Sequence, residues 1–523
     1  MASTQDFYKD KLILAPMVRV GTLPMRLLAL RYGADIVYCE EIIDFKILNA
    51  SKVENELIGT VDFVLSDDTV VFRTCPQEKD KLVFQLGTSN AKRALKAAQK
   101  IQDYVSGVDV NMGCPKEFSI KGGMGAALLT QPEKVKEILT TLVKGLNVPV
   151  TCKIRILPKM EDMLNLVKTI ESTGVSAIAV HGRYKEERPR HTNHDDVIKV
   201  IAQHIGIPVI ANGGSGVIKQ FSDIQAFRGS TGASSVMIAR AAEWNPTIFR
   251  PEGKLPLMDV VREYIKVAID YDNNYTNTKY CVLQMMHADM DIEEGLKTLS
   301  TDSLQDISEV WGLLDYYTET RSKFEKKRAE INTLNNLTED VQISKGDSDL
   351  ITINMPLKFV KRDFPTKISP KQRLFEWLRR TQQGKPVYDT AEREDRNFNC
   401  VLTVNNKVKF TTPYWEKSKQ LAEQASATVA TTVLDIGDGR AQVVTPQLEN
   451  CRTKWRQLFT CQNCDGELAQ NVVKILKCDT ADVDSGSENG LKNETEISLN
   501  TKRKDDEIED DRPQKICKQD TDT

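Results

Sequence analysis

The stretch VDVNMGCPKEFSIKGGMGAALL, residues 108–129, decides the fold and carries a candidate reactive group. Its first five residues alternate between apolar and polar side chains, which is typical of a β-strand with one buried face. Gly113 and Pro115 end this strand, and Cys114 lies between them at its C-terminal end. A cysteine in this place is either a buried residue of a tight turn or a reactive thiol, and the stretch alone favours the turn. The rest of the chain reverses that preference.

The bulk composition indicates a soluble intracellular protein with several domains. The chain has 523 residues, enough to bury more than one core. Its N-terminus lacks the basic start and apolar run of a signal peptide, and no window holds the roughly 20 apolar residues of a membrane span. The 11 cysteines are scattered, so we expect reduced thiols. We expect a cytoplasmic protein with no membrane association and no obligate protein partner.

Short β-rich runs alternate with helical patterns in the first part of the chain. They recur every ~25 to 45 residues, which is the rhythm of βα units. The eight runs are LILAPM (12–17), DIVYCE (35–40), LVFQLG (82–87), VDVNMG (108–113), PVTCKIRI (149–156), AIAVHG (177–182), PVIANGG (208–214) and SVMIAR (235–240). Eight units predict an α/β fold in which residues 1–243 form a (β/α)8 TIM barrel, with functional residues at the C-terminal ends of its strands.

Three further regions and a tail are predicted after the barrel. Residues 244–335 have apolar residues at helical spacing and predict a helical domain. Residues 336–352 are polar and are interpreted as a linker before a third domain at 353–435. Between residues 356 and 420, 15 Lys and Arg exceed 7 Asp and Glu, so this region carries +8 and favours a polyanionic partner. The tail, 436–523, is predicted to be mostly disordered.

Two neighbouring strand ends of the predicted barrel have the residues of a phosphate site. Gly213 and Gly214 free backbone N–H groups for an anion, and Arg240 at the next strand end adds a bidentate cation. The phosphate of flavin mononucleotide (FMN) fits this pattern. The glycines without the arginine would predict only a turn.

A lysine and a histidine lie at two further strand ends. Lys153 and Arg155 share one side of their strand, where Lys153 would stabilise an anionic reduced flavin and Arg155 would hold the substrate. The alternative is a buried ion pair between Lys153 and a carboxylate such as Glu40. His181 is interpreted as a hydrogen-bond donor to the cofactor, because no carboxylate and histidine set with metal-ligand spacing surrounds it.

Seven motifs in this order, LAPMV, VDVNMGCP, GGMGAALL, CKIR, VHGR, ANGG and IAR, resemble those of the flavin-dependent tRNA-dihydrouridine synthases. The resemblance covers roughly the first two thirds of the chain. It implies that NADPH reduces FMN, that the reduced flavin passes a hydride to C6 of a uracil in tRNA, and that Cys114 supplies the C5 proton. A thiol with a pKa near ~8.5 is mostly protonated at pH 7, which suits a general acid. It also implies that the helical domain binds tRNA.

The resemblance assigns the remaining site residues by motif. It implies that FMN is contacted by Pro16, Met17, Gln85, Lys153, His181, Asn212, Gly213, Gly214, Ala239 and Arg240. It places Asn111 and Arg155 against the uracil. Since that base must leave the tRNA fold at a cost of a few kcal/mol, we expect extensive additional protein contacts to the RNA.

The third domain is predicted to have the order α-β-β-β-α, with a hairpin turn at Asn405 and Asn406. This order resembles a double-stranded RNA-binding domain. The chain departs from the KKxAK cluster of that module, because residues 419–423 read KQLAE and two cations are missing. We therefore predict RNA contacts from a basic N-terminal extension and the remaining lysines, rather than an ordinary solvated basic face: Lys358, Lys361, Arg362, Lys367, Lys371, Lys417 and Lys419.

The fusion of such a barrel to this module resembles the eukaryotic cytoplasmic branch of the family, which reduces uridine 20 of tRNA. Two alternatives stay open, a small-molecule flavin oxidoreductase of the dihydroorotate dehydrogenase kind and a non-catalytic RNA-binding scaffold. Cys461 and Cys464 form a CxxC pair, but no second pair and no histidine completes a zinc site. We therefore predict no structural metal.

Overall fold

The computed structural model describes residues 5–65, 69–334, 340–346, 350–360, 364, 369–394, 397–437, 446–460 and 464–477. Eight parallel strands pair in chain order, and the last pairs with the first, so that the sheet closes into a barrel. They are Leu12–Leu14, Ile36–Tyr38, Leu82–Gly87, Gly107–Met112, Val150–Arg155, Ala177–His181, Val209–Asn212 and Ser235–Ile238. The predicted barrel is confirmed. Each observed strand begins within two residues of the start of its predicted run, and most of the strands end before the run does.

Helices connect these strands on the outside of the barrel. They are Leu23–Arg31, Asp44–Asn49, Ala91–Ile101, Glu117–Lys121, Pro132–Gly145, Met160–Glu171, Asp195–His204, Phe221–Thr231 and Arg240–Trp244. The alternation of the strand Val150–Arg155 is as predicted, since Cys152 and Ile154 pack in the apolar layer under these helices. The alternating residues Thr151, Lys153 and Arg155 face the barrel interior, where Thr151 bonds Asp109 of the neighbouring strand. This alternation brings the polar side chains of several strands into one space.

A three-stranded antiparallel sheet between the second and third barrel strands was not predicted. Its strands are Ser51–Asn55, Thr60–Val64 and Val70–Thr74. Arg73 joins this sheet to the helical domain, because its guanidinium binds Asp62 at 2.6 Å and donates to the Tyr271 carbonyl at 2.7 Å. The sheet therefore connects two domains that the sequence analysis treated as consecutive.

A buried ion pair anchors the chain after this sheet to the first barrel helix. Arg26 binds Glu78 in a bidentate manner at 2.7 and 2.8 Å, and both side chains are almost fully buried. Arg26 also donates to the carbonyls of Gly21 and Arg73. Because each charge is paired and hydrogen-bonded, the pair compensates the desolvation that burial imposes.

The helical domain is confirmed. Its helices are Leu257–Asp270, Tyr275–Met285, Glu293–Leu299, Leu304–Val310 and Leu314–Leu334. Tyr264 and Trp311 belong to the same apolar cluster as the outer layer of the barrel, so this domain packs directly on the barrel.

The third domain has the predicted α-β-β-β-α order. Its elements are Pro370–Arg380, Val387–Glu392, Phe398–Val404, Val408–Thr411 and Lys419–Val433. Asn405 and Asn406 both have positive φ, 52° and 54°, as a two-residue hairpin of this kind requires.

The predicted linker at 336–352 is partly structured, which is a correction. Gln342–Lys345 and Ile351–Asn354 form a hairpin whose second strand pairs with Val408–Thr411, so the sheet has five strands. The polar composition of this segment concealed an apolar position, since Ile351 lies in the core of the third domain.

The tail predicted as 436–523 also contains structure. Helices Pro446–Thr460 and Cys464–Lys477 pack on the third domain, with Leu448, Cys451 and Trp455 in its apolar core. Those three residues recur at helical spacing, a signal that the charged composition around them outweighed. Residues 478–523 lie outside the described residues. No helix among the described residues is long and apolar enough to span a membrane.

Candidate active site

The loop after the fourth barrel strand holds Cys114 in a fixed position. The side-chain carbonyl of Asn111 accepts the backbone N–H groups of Gly113 at 3.0 Å and Cys114 at 2.9 Å. Its amide donates to Gln85 at 3.1 Å. Asn111 is thus an organiser of the loop that carries the thiol.

The glycine-rich turn packs closely on this cysteine. Gly125 has φ +56°, and a Cβ there would lie 2.6 Å from the Cys114 carbonyl and clash with the Ser119 hydroxyl. Only glycine allows this approach. The Cys114 carbonyl accepts the N–H of Ala126 at 2.9 Å, which ties the turn to the cysteine.

The thiol of Cys114 is protected from ionisation. Burial raises its pKa above the ordinary value, and the neighbouring Glu41 carboxyl raises it further, while hydrogen bonds from Lys116 and Ser119 act in the opposite direction. The cysteine is therefore a thiol at neutral pH, a state suited to an acid rather than to a nucleophile.

A buried carboxyl below the site was missed by sequence reasoning. Asp109 accepts hydrogen bonds from Gln85 at 2.8 Å and Thr151 at 2.7 Å and is fully buried. Burial raises its pKa to about 6. The signal was a charged residue in an otherwise apolar strand. Asp109 orients Gln85, whose side-chain oxygen accepts a hydrogen bond from the Asn111 amide.

The two cations of the fifth barrel strand have different environments. Arg155 donates from Nε to the Gly113 carbonyl at 2.9 Å and from Nη1 to the Tyr184 carbonyl at 2.8 Å. Lys153 forms no ion pair within the described part of the chain, and Glu40, the predicted alternative partner, instead accepts the N–H of Arg19 at 2.9 Å. Burial, followed by the charge of Arg155, lowers the pKa of Lys153 to about 8. The carboxyls of Asp109 and Glu41 act on Lys153 in the opposite direction without forming an ion pair with it among the described residues.

His181 is neutral, and its tautomer follows from its neighbour. Its pKa lies well below the ordinary value, first because of burial and then because of Lys153, Arg155, Arg183 and Arg240. Nη1 of Arg183 lies 3.1 Å from Nε2 of His181. Since arginine only donates, Nε2 accepts and the ring proton lies on Nδ1.

Arg183 is a positioning residue that the sequence analysis did not assign. It is 6% exposed and also donates to the carbonyls of Gly213 at 3.0 Å and His191 at 2.9 Å. It therefore joins the sixth strand to the predicted phosphate loop. Arg183 is part of the VHGR motif, but the motif gives no indication of the carbonyls to which it donates.

The predicted phosphate loop has a backbone that only glycine adopts. Gly213 has φ +113°, and a Cβ there would lie within 3.0 Å of His181 and clash directly with Asn193. The Asn212 amide donates to the Met237 carbonyl at 2.8 Å, which joins this strand to the next. Gly214 begins a short helical turn, where backbone N–H groups lack an intrahelical partner.

Arg240 completes this region at the eighth strand end. It is exposed, follows Ala239, and forms no ion pair among the described residues. Lys153 and Arg240, which form no ion pair among the described residues, lie at strand ends together with the neutral His181 and the glycine backbone, so this end of the barrel is rich in hydrogen-bond donors. This chemistry fits an anionic, oxygen-rich cofactor such as FMN. Pro16 and Met17 lie in the loop after the first strand and are half-buried.

The predicted RNA contacts of the third domain are only partly described. Lys358 and Lys419 are exposed, and Lys358 lies 4.7 Å from the centre of the Tyr414 ring. Lys371 binds Glu423 at 2.6 Å, so its charge is neutralised within the domain. Lys417 is half-buried. Lys361, Arg362 and Lys367 lie outside the described residues. Within the described ranges, no group of three or more His, Cys, Asp or Glu is placed to hold a metal ion.

The chain is similar to known proteins in its barrel and helical region and in its third domain. Residues 13–304 match the dihydrouridine synthase family. The tRNA-dihydrouridine(20) synthase of Schizosaccharomyces pombe, named with NAD(P)+, is 41% identical over 290 residues, 53% of this chain and 60% of that protein. Its namesake from Saccharomyces cerevisiae is 41% identical over 298 residues, 53% of this chain and 78% of that protein. A crystal structure of a tRNA-dihydrouridine(20) synthase dsRBD domain is 42% identical and covers 17% of this chain and 96% of that structure, with a TM-score of 0.17. Because the family match spans more than half of the sequence, the chain belongs to the dihydrouridine synthase family.

Proposed function

We propose that this protein reduces the C5–C6 double bond of a uridine in the D-loop of tRNA, at position 20, with FMN as cofactor and NADPH as reductant. The observation that carries the proposal is a protonated thiol, Cys114, in a barrel that also presents an unpaired cation, Lys153, and a neutral donor, His181. The S. pombe and S. cerevisiae relatives carry the name tRNA-dihydrouridine(20) synthase, which supports the choice of substrate.

The cofactor would be held by residues at the strand ends of the barrel. Gly213, Gly214 and Arg240 would bind its phosphate, and His181 would donate from Nδ1. When bound and reduced, FMN supplies a hydride to C6 of the uracil. Lys153 contributes a positive charge that favours an anionic ligand beside it, and Pro16, Met17, Gln85, Asn212 and Ala239 would complete the contacts.

The substrate side of the site depends on three side chains. Cys114 donates its S–H proton to C5, which its raised pKa allows because the thiol is intact at neutral pH. Asn111 acts by holding the backbone of Cys114, and its amide leaves one N–H for the base. Arg155 leaves Nη2 free of hydrogen bonds within the described part of the chain, and we assign that group to the uracil.

Additional tRNA-binding contacts are assigned to the helical and third domains. The third domain has the α-β-β-β-α order of modules that bind double-stranded RNA through shape and phosphates. Its exposed lysines, with the basic residues of its N-terminal extension, are the groups proposed to contact phosphates. Cytoplasmic localisation stays a prediction.

Purified full-length protein tests the proposal directly. We expect flavin absorbance, NADPH oxidation that accelerates with unmodified tRNA, and dihydrouridine at position 20. A protein without flavin would contradict the enzyme assignment, and oxidation of dihydroorotate without any effect of tRNA would favour a small-molecule flavin enzyme instead.

The Cys114→Ala variant separates the acid from the cofactor. It should retain FMN and oxidise NADPH at the parent rate, while dihydrouridine formation falls about 10²- to 10⁴-fold, the usual contribution of a general acid. Both rates are measured on one preparation, with flavin content as the control for folding. Dihydrouridine formation at the parent rate would show that Cys114 is only a residue of the turn.

A further inference from the structure

Two arginines of the site are anchored on the loop of residues 182–194, which follows the sixth barrel strand. Nη1 of Arg155 donates to the carbonyl of Tyr184 at 2.8 Å and to that of Glu187 at 3.4 Å. Nε of Arg183 donates to a carbonyl further along the same loop at 2.9 Å. The position of this loop therefore sets the position of the arginine that we assign to the uracil.

The side chain of Glu187 closes the turn to which Arg155 is anchored. Oε2 of Glu187 accepts the N–H of Tyr184 at 2.8 Å, and the N–H of Glu187 donates to the Tyr184 carbonyl at 3.1 Å. Nε2 of His194 donates to Oε1 of Glu187 at 3.0 Å, because a carboxylate only accepts. Both carboxylate oxygens are thus engaged, and they join the beginning of the loop to its end.

Glu187 also supplies negative charge among the cations of this region. Burial acts to raise the pKa of Glu187, but the hydrogen bonds of His194 and Tyr184 bring it below its ordinary value, so the carboxyl is ionised at neutral pH. Its charge opposes the lowering of the pKa of Arg155 by burial and by Arg183. Removal of Glu187 would therefore loosen the turn and leave repulsion between the two arginines.

We infer that Glu187 is a positioning residue that aims Arg155 at the uracil. Nε of Arg155 is fixed by the Gly113 carbonyl at 2.9 Å, and Nη1 is fixed by the turn that Glu187 closes. A planar guanidinium held at two nitrogens has a fixed direction for the third, which is Nη2. Glu187 acts on the base only through Arg155, and its role in the reaction rests on the proposed function.

Steady-state kinetics of the Glu187→Ala variant test this role. The kcat of dihydrouridine formation should fall about 10-fold or more, because a misplaced group no longer orients the base. The KM for tRNA should stay near the parent value, since phosphate contacts elsewhere supply most of the affinity. Flavin content and flavin reduction by NADPH should also match the parent. Loss of flavin, equal slowing of both half-reactions, or a change in KM alone would overturn the inference.

Two further variants show whether Glu187 acts through Arg155. Glutamine keeps an oxygen for the Tyr184 N–H, so Glu187→Gln should recover part of the lost kcat. In an Arg155→Met background, Glu187→Ala should cause no further loss, because the side chain that it positions is absent. Losses that add in full in the double variant would overturn the inference.

Trypsin cleavage after the exposed Arg190 supplies a readout that needs no tRNA. Cleavage requires the loop to open locally, so Glu187→Ala should be cut several-fold faster than the parent. The matched control is Glu186→Ala, whose exposed carboxylate binds Lys185 at 3.5 Å and should leave the cleavage rate unchanged. Unchanged cleavage in Glu187→Ala, or equal acceleration in both variants, would contradict a role of Glu187 in fixing the loop.

The readouts separate the inference from the proposed function. Unchanged cleavage and unchanged kcat in Glu187→Ala, with a parent enzyme that forms dihydrouridine, would overturn the inference alone. A parent protein that binds flavin and forms no dihydrouridine would overturn the proposed function, and with it the part of Glu187 in that reaction, even if cleavage after Arg190 accelerates.

Discussion

Single residues of this site trade folding stability for ligand binding. Lys153 is a half-buried cation that forms no ion pair within the described part of the chain, and the repulsion of Arg155 is only partly offset by Asp109 and Glu41. His181 remains neutral because burial and the neighbouring positive charges lower its pKa. Such an arrangement costs free energy in the empty protein and is offset when an anionic ligand binds.

The Lys153→Met variant should show this trade. The change in the pKa of Lys153 from 10.5 to about 8 corresponds to roughly 3 kcal/mol of lost folding free energy, an upper bound for the gain from methionine. Flavin-free Lys153→Met should therefore melt at a higher temperature than flavin-free parent at pH 7, while its affinity for FMN falls.

The pH dependence of that gain has a defined sign. The folded pKa of Lys153 lies below the unfolded one, so the cost is fully present below pH 8 and disappears as pH rises toward 10.5. The difference in melting temperature between variant and parent should shrink over this window. A difference that is constant from pH 7 to pH 10 would show that Lys153 titrates normally in the fold.

At the scale of elements, loops at strand ends are held by side-chain contacts to backbone. Asn111 binds two N–H groups of the Cys114 loop, and Arg183 binds the carbonyl of Gly213. Close approach of backbone is possible only because Gly125 and Gly213 carry no Cβ. The chemistry thus depends on turn geometry as much as on the reactive groups.

The Gly213→Ala variant tests the phosphate loop. Its φ of +113° and the clash with Asn193 should displace the loop, and strain of about 1–3 kcal/mol should reduce FMN affinity roughly 10-fold or more. The measurement is FMN binding by fluorescence. Gly216→Ala is the matched control, because nothing lies within 4 Å of a Cβ there and its affinity should stay at the parent value.

At the scale of the whole molecule, the barrel and the helical domain are joined by side-chain contacts as well as by the covalent chain. Arg73 links the inserted sheet to the helical domain, and the apolar cluster of the barrel continues into that domain. The third domain has a separate core, which is completed by the hairpin at 342–354 and by helices Pro446–Thr460 and Cys464–Lys477. The chemistry and the RNA contacts proposed for the third domain therefore lie on two separate cores.

Salt dependence of tRNA binding tests that division. Replacing Lys358 with Glu should weaken tRNA binding and reduce the slope of log K against log salt by about 1, the effect of one lost phosphate contact. The same change at Lys96, on the barrel helix Ala91–Ile101, should leave the slope unchanged. An equal effect of both variants would indicate general electrostatics rather than a binding surface on the third domain.

Local patterns predicted most of the architecture. The barrel strands, the helical domain and the α-β-β-β-α order were predictable because alternation and helical spacing are local properties of the sequence. The strands of the inserted sheet at 51–74 pair with their sequence neighbours, but the first of them, Ser51–Asn55, is polar and mostly exposed and was missed. The hairpin at 342–354 was missed because its second strand pairs with Val408–Thr411, which is distant in the sequence. The tail helices were missed because their few apolar residues bury against a core formed earlier in the sequence.

The sequence by itself determined which chemical groups stand at the strand ends, including Cys114, Lys153 and His181, because position in a βα repeat specifies the end of the barrel at which a residue lies. Only the tertiary structure decided their protonation states and their partners. Asp109 supports Gln85, and Arg155 binds the Gly113 carbonyl, because pairing of the barrel strands brings segments distant in sequence into contact. Burial and the charges gathered there then set each pKa, a property of the assembled site that no local pattern contains.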